Sequence, residues 1–220
     1  MRRKLVVFGA RQMAEVCAHY FDRDRAYEVV AFTVDGAYIE QSRMMGRPVV
    51  PAEEVVRAYP PSSHEMFVAV SYRQMNQVRK RKYVHARALG YRLAHYVSAR
   101  AYTPEGFTPG DNSFVMEGAI VQPFASIGSN SFIWTGSHVG HHSRIGDHCF
   151  VAPRAAISGN VTVRDECFIG INATLRDGIT IAPRCLIGAG AVVTSDTRPD
   201  GVYAAESAAV RRAPSFRVKP

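Results

Sequence analysis

From Val115 to Val193 the chain places an aliphatic residue at every sixth position, fourteen times without a slip. The series runs Val115, Val121, Ile127, Ile133, Val139, Ile145, Val151 and on through Ile157, Ile169, Leu175 and Ile187 to Val193. Two residues before each stands a mostly small one, such as Ser113, Ala119, Ser131, Ser143, Cys149 and Cys167, and glycine often follows, as at Gly128, Gly140 and Gly170. A period of six suits neither an amphipathic helix nor an alternating strand. It is the signature of a parallel β-helix.

The period dictates the geometry. Two residues of each six point inward, one branched and one small, so three hexads close a triangular coil around a narrow apolar prism. Coils stack at strand spacing, about 4.8 Å, and residues eighteen apart in sequence lie one above another. Cys149, Cys167 and Cys185 obey that arithmetic and form one internal column. They are expected as small fillers of the prism rather than as a disulfide or metal set.

Composition narrows the remainder. The 220 residues are 47% hydrophobic, enough for one compact unit or two modest domains, and no apolar run is long enough to span a bilayer. Unpaired cysteines, and an apolar start that ends at Gly9, point to the reducing cytoplasm. The net charge of +8 is carried almost wholly by arginine. No nucleic-acid-recognition motif accompanies it, and a positive field also draws in polyanions such as nucleotides.

Before the repeat the pattern changes. Lys4–Gly9 reads as a buried strand, Gln12–Asp24 as a helix and Tyr27–Asp35 as a second strand. A short helix over Ala52–Ala58, a strand over Glu65–Val70, a helix over Met75–Leu89 and a fourth strand over Tyr91–Val97 follow. This alternation predicts a small Rossmann-like parallel sheet over residues 1–102. The β-helix and a C-terminal tail then occupy 103–220.

Residues 115–193 resemble the left-handed β-helix of hexapeptide-repeat acyltransferases. The whole chain resembles the sialic-acid O-acetyltransferase and UDP-amino-sugar N-acetyltransferase family. The resemblance implies acetyl-CoA as acyl donor, a homotrimer, and a nucleotide-linked amino-sugar held by the N-terminal domain.

It also assigns residues. Gly9 and Arg11 occupy the turn after the first strand, Asp35 ends the second, and Asn76 with Arg79 match an Asn-x-x-Arg motif; all five are implied to hold the sugar-nucleotide. Arg11 stands where the family often has glycine, and a tight turn explains it equally well. His141 matches the family's general base, with His142 where an acidic residue usually follows. Gly159, eighteen residues after His141, would offer its N–H near the thioester. Phe150, Ile171 and Ala189 match positions lining the coenzyme A groove, and Trp134 walls the acceptor or acyl pocket or covers the trimer seam. Arg211 and Arg212 in the tail would meet coenzyme A phosphates or nothing.

A metal site built from His138, His141, His142 and His148 is disfavoured. One coil away His138 meets Ala156 and Ile120, His141 meets Gly159 and Pro123, and His142 meets Asn160 and Phe124, while His148 meets Glu166 and Asn130. The expected function is acyl-CoA-dependent N-acylation of a nucleotide-linked deoxyamino-sugar for surface glycan synthesis. O-acetylation of a sugar hydroxyl uses the same base and donor. A non-catalytic nucleotide-sugar-binding scaffold is the alternative outside enzymology.

Overall fold

The computed structural model describes residues 2–206, so Arg211 and Arg212 lie outside the described residues. Strand β1 (Arg3–Phe8) is flanked in parallel by β2 (Tyr27–Val34) and by a strand over Glu65–Val68. The full order is Arg43–Met44, Arg47–Pro51, Tyr27–Val34, Arg3–Phe8, Glu65–Val68, Arg92–Leu93. These strands are β3, β4, β2, β1, β5 and β6 in turn. One pairing departs from the expected parallel sheet: β3 and β4 are antiparallel, because Met45 and Gly46 turn the chain back with positive φ. Helix α1 (Gln12–Arg23) follows β1 and buries Ala14, Cys17, Ala18 and Phe21, a single face at helical spacing.

The expected fourth strand divides in two. Arg92–Leu93 completes the α/β sheet, whereas Tyr96–Val97 (β7) already pairs with Phe114–Val115 (β8) of the repeat. The second helix of one turn is Val55–Ala58 (α2), and α3 is Gln77–Ala88. The inward face of α3 buries Arg79, Tyr83 and Ala86.

In the β-helix fourteen two-residue strands, β8–β21, run from Phe114–Val115 to Val192–Val193, and Val202–Tyr203 (β22) closes the last coil. They form three parallel faces in which every partner is eighteen residues away, as in Phe132 with Phe150, His138 with Ala156 and Arg144 with Thr162. The outward column of the first face is Phe114, Phe132, Phe150, Phe168 and Leu186. The second presents Ile120, His138, Ala156, Thr174 and Val192, and the third Ser126, Arg144, Thr162 and Thr180.

The inward small residues are more than fillers. Ser131 Oγ donates to the Gly146 carbonyl at 2.8 Å and accepts the Cys149 N–H at 2.9 Å. Cys149 and Cys167 repeat the donation to carbonyls of Arg164 and Ala182, at 3.2 and 3.1 Å. A serine or cysteine here therefore satisfies buried corner backbone that an alanine would leave to its neighbours.

Each corner ends on a residue with positive φ: Asn or Gly at eight of the fourteen, such as Asn112, Asn130, Gly118 and Gly136, and Phe124, His142, His148, Arg154, Glu166 and Arg184 at the other six. Asn and Gly tolerate that conformation best. Between the third and first faces the corner residues Asn112, Asn130, His148 and Glu166 form a vertical polar ladder. Asn112 Nδ2 donates to Asn130 Oδ1 at 2.8 Å, which turns the Asn130 amide N–H toward His148 Nδ1, also 2.8 Å away. His148 must accept there, and its surroundings agree: burial chiefly, then Lys80 and Arg79, hold its pKa below the ordinary histidine value.

This ladder and the first face carry the α/β domain. Phe114, Phe132 and Phe150 share one buried cluster with Leu5, Val7, Phe21 and Phe67. Asn76 and Arg79 sit in the same joint and are both wholly buried. Arg79 donates to the carbonyls of Asn130, Ser71, His148 and Cys149 at 3.0–3.3 Å, with its guanidinium carbon 4.7 Å from the Phe132 ring centroid. Burial pulls its pKa down to about 9, still cationic at neutral pH. Asn76, with φ of 67°, donates to the carbonyls of Glu166 and Cys167. The Asn-x-x-Arg motif thus bolts helix α3 to the β-helix: both side chains are wholly buried and their donors go to backbone carbonyls rather than to a sugar-nucleotide.

Arg79→Met keeps the length and removes the donors, leaving four carbonyls to compete for other partners. It is expected to destabilise the fold by at least about 3 kcal/mol, measured by urea unfolding. Unchanged stability with impaired binding of a nucleotide-sugar would restore the ligand role.

Candidate active site

The second corner of the prism lies between the second and third faces, opposite the face that carries the α/β domain. Three successive coils bring Gln122-Pro123-Phe124, Gly140-His141-His142 and Ser158-Gly159-Asn160 into register there. Gly140 begins its corner as glycine because a Cβ would lie 2.5 Å from the Ser158 carbonyl carbon. The tight turn throws the next two side chains outward, and His141 and His142 are both exposed.

Gly159 lies directly against the His141 imidazole. A Cβ at residue 159 would stand 2.6 Å from both Cε1 and Nε2 of that ring. Among the described residues the Gly159 N–H has no hydrogen-bond partner, although its carbonyl accepts the Gly178 N–H at 3.0 Å. The residue whose α-carbon abuts the Cε1–Nε2 edge of the imidazole thus also carries a free backbone donor. The His141 backbone is held from below, its N–H donating to Gln122 Oε1 at 2.9 Å. Its ring meets His142 edge-on, with the two Nδ1 atoms 3.2 Å apart.

The other expected positions fall in three places. Gly9, Arg11 and Asp35 gather at the carboxyl ends of β1 and β2, where α/β sheets place their ligand crevice. Gly9 has φ of 137° and a Cβ there would approach the Ala69 carbonyl oxygen to 2.9 Å, so the turn requires glycine. Arg11 pairs with Glu40 at 2.5 Å, both largely exposed, and Asp35 accepts from Lys82 Nζ at 2.6 and 2.7 Å. Ile171 and Ala189 stand exposed on the first corner, across the second face from His141, so one chain does not bring them together.

Phe150 is a correction. Its side chain is 3% exposed and stacks between Phe168 and Trp134 within the interdomain cluster, so it cannot line an open groove. Trp134 packs in that same seam, 5.7 Å from Phe150. Among the described residues no three His, Cys, Asp or Glu side chains come together as a metal set, and no helix is long and apolar enough to cross a membrane.

Comparison with known proteins places this geometry. Residues 124–159 and 160–195 match the family model described as bacterial transferase hexapeptide (six repeats). The acetyltransferase domain of PglB from Neisseria gonorrhoeae FA1090, solved with acetyl coenzyme A, is 28% identical with a TM-score of 0.81, covering 93% of this chain and 97% of that one. PerB from Caulobacter crescentus, solved with CoA and GDP-perosamine, is 26% identical with a TM-score of 0.81, over 92% and 94% of the two chains. WeeI from Acinetobacter baumannii AYE shares the fold at 20% identity and a TM-score of 0.74, over 90% and 94%. No curated protein matches in sequence. The chain therefore carries bacterial-transferase hexapeptide repeats and shares the architecture of the PglB acetyltransferase domain and PerB: an α/β domain seated on a parallel β-helix.

The contact between Gly159 and the imidazole generates a test. The backbone of Gly159 lies outside the positive-φ region, so alanine fits the main chain and only the ring must move. Gly159→Ala is expected to leave stability within about 1 kcal/mol while lowering acetyl-transfer kcat at least tenfold, roughly 1.4 kcal/mol in the barrier. Wild-type turnover in Gly159→Ala would remove this corner from the chemistry.

Proposed function

We propose that the chain is a cytoplasmic N-acetyltransferase that moves an acetyl group from acetyl-CoA to the amino group of a nucleotide-linked deoxyamino-sugar, for surface glycan synthesis. The observation that carries the reading is the bare Gly159 N–H beside the exposed His141 ring. Acyl transfer to an amine needs a proton acceptor for the attacking nitrogen and a donor for the oxyanion that forms. This corner supplies both. His141 Nε2 takes the proton as the C–N bond forms, and the Gly159 N–H donates to the acyl oxygen. The C–S bond then breaks, and His141 returns the proton to the departing sulfur. The donor is the one named with the Neisseria structure, and a nucleotide-linked amino-sugar is named with the Caulobacter one.

The nucleotide part is assigned to the crevice of Gly9, Arg11 and Asp35. That crevice belongs to the domain on the first face, whereas His141 stands at the opposite corner. A site joining them is most simply built between chains. The second face supports this arrangement: Ile120 and Val192 on its outward column and Tyr102 beside it are 40%, 68% and 66% exposed. Covering that face in a homotrimer would bring Ile171 and Ala189 of one copy toward His141 of the next, framing a coenzyme A groove. Light scattering is expected to give three times the chain mass at micromolar concentration; an active monomer would contradict the shared site.

The reaction itself is tested with acetyl-CoA and a panel of nucleotide-linked amino-sugars that includes GDP-perosamine, with products read by mass spectrometry. An acetyl adduct stable to hydroxylamine is expected, as for an amide, and His141→Ala should lower kcat at least a hundredfold, about 2.7 kcal/mol. A hydroxylamine-labile ester would identify O-acetylation instead, and sugar binding without acetyl-CoA binding would identify a scaffold.

A further inference from the structure

We infer that Phe124 is a positioning residue of the active site, which acts through His142 to fix the proton on the Nδ1 of His141. The inference rests on the proposed role of His141 as base. It begins from a residue that the fold does not explain. Phe124 ends its corner with φ of 66° and its side chain is 77% exposed. At the same position of the next coils stand His142, Asn160 and Gly178, with φ of 60°, 57° and 72°. Asn and Gly are the residues that this left-handed conformation favours, and a bulky aromatic is disfavoured in it. An exposed Phe in that conformation contributes neither backbone ease nor burial within its own chain. Arg154, Glu166 and Arg184 hold the same φ at other corners, so what singles out Phe124 is the contact its ring makes.

What Phe124 touches is the histidine pair. Its ring centroid lies 4.7 Å from that of His142, with the planes tilted by 35°. His142 stands edge-on to His141 at 5.4 Å and 85°, which brings the two Nδ1 atoms to 3.2 Å. Two imidazoles share such a contact only when one Nδ1 donates and the other accepts. For His141 to keep a lone pair on Nε2, beside Gly159, its proton must reside on Nδ1. His142 must then accept through Nδ1 and carry its own proton on Nε2. A free histidine ring turns about its side-chain bonds and loses that aim; the Phe124 face restricts the rotation. Gln122, in the same corner, fixes the His141 backbone. The corner below the histidines is thus a floor with two supports, one for the main chain and one for the ring.

Phe124→Asn separates this role from a structural one, because asparagine suits the conformation better. Its Tm is expected to equal or exceed that of the native chain. Nitrogen-15 NMR of the histidine rings in the full chain, without substrate, should show His141 as the Nδ1–H tautomer natively and as a mixture rich in Nε2–H in Phe124→Asn. Phe124→Tyr should restore the native tautomer. With acetyl-CoA and GDP-perosamine, Phe124→Asn should lower kcat by between about ten- and a hundredfold, with the KM for acetyl-CoA unchanged. His142→Ala should add no further loss in that background, since both act through one contact. A His141 tautomer indifferent to Phe124→Asn, or additive losses in the double variant, would overturn the inference. The tautomer readout is independent of the reaction, so absence of acetyl transfer across the whole panel would sink the proposed function and with it the active-site role of Phe124, while an unchanged tautomer in an active Phe124→Asn would overturn this inference alone.

Discussion

The structure depends on one constraint, that residues eighteen apart occupy the same place on successive coils. It follows from closing three hexads into a triangle around a prism only wide enough for one branched and one small side chain. Every pairing among β8–β21 obeys it. The register fixes the core and also decides which side chains meet outside it. It sets His141 against Gly159 and Phe124 against His142, and it aligns the Asn112–Asn130–His148 ladder. A one-residue insertion in any coil would break all of these together.

The α/β domain is held to this frame by polar as well as apolar means. The aromatic column of the first face supplies the apolar burial for Phe21 and Phe67. Arg79 and Asn76 supply the specificity, by donating to carbonyls that belong to corners of three different coils. Corner carbonyls cannot all be satisfied within a coil, because the chain changes direction there. An arginine with five donors in a fixed fork suits that task. Gly9, Arg11 and Asp35, at the carboxyl ends of β1 and β2, take no part in that fastening; Arg11 pairs with Glu40 and Asp35 with Lys82.

The β-helix was legible residue by residue, since its period is set by packing geometry that the sequence cannot evade. The contact of Gly159 with His141 was legible for the same reason, through the register, once the resemblance had singled out His141. The resemblance led astray at Asn76 and Arg79, where an Asn-x-x-Arg pattern serves a buried joint; exposure is not encoded in a four-residue motif. Phe150 misled similarly, because its column faces the α/β domain, and which of the three faces carries that domain is a tertiary fact. The division of Tyr91–Val97 between two sheets was hidden because either sheet accepts a short apolar strand. Phe124 and Gln122 were within reach of the arithmetic, as residues 142 − 18 and 140 − 18. What the sequence does not signal is that the Phe ring lies on the imidazole and that the Gln carbonyl turns to a backbone N–H.

The central claim is that the second corner, and not the crevice of the α/β domain, is where acyl chemistry occurs. A crystal structure of the full chain with coenzyme A bears on it most directly. The predicted result places the thiol sulfur within reach of His141 Nε2 and the adjoining carbonyl position within hydrogen-bond distance, about 3 Å, of the Gly159 N–H. A thiol lodged near Gly9 and Asp35, or a His141 ring turned away from Gly159 in the complex, would contradict it.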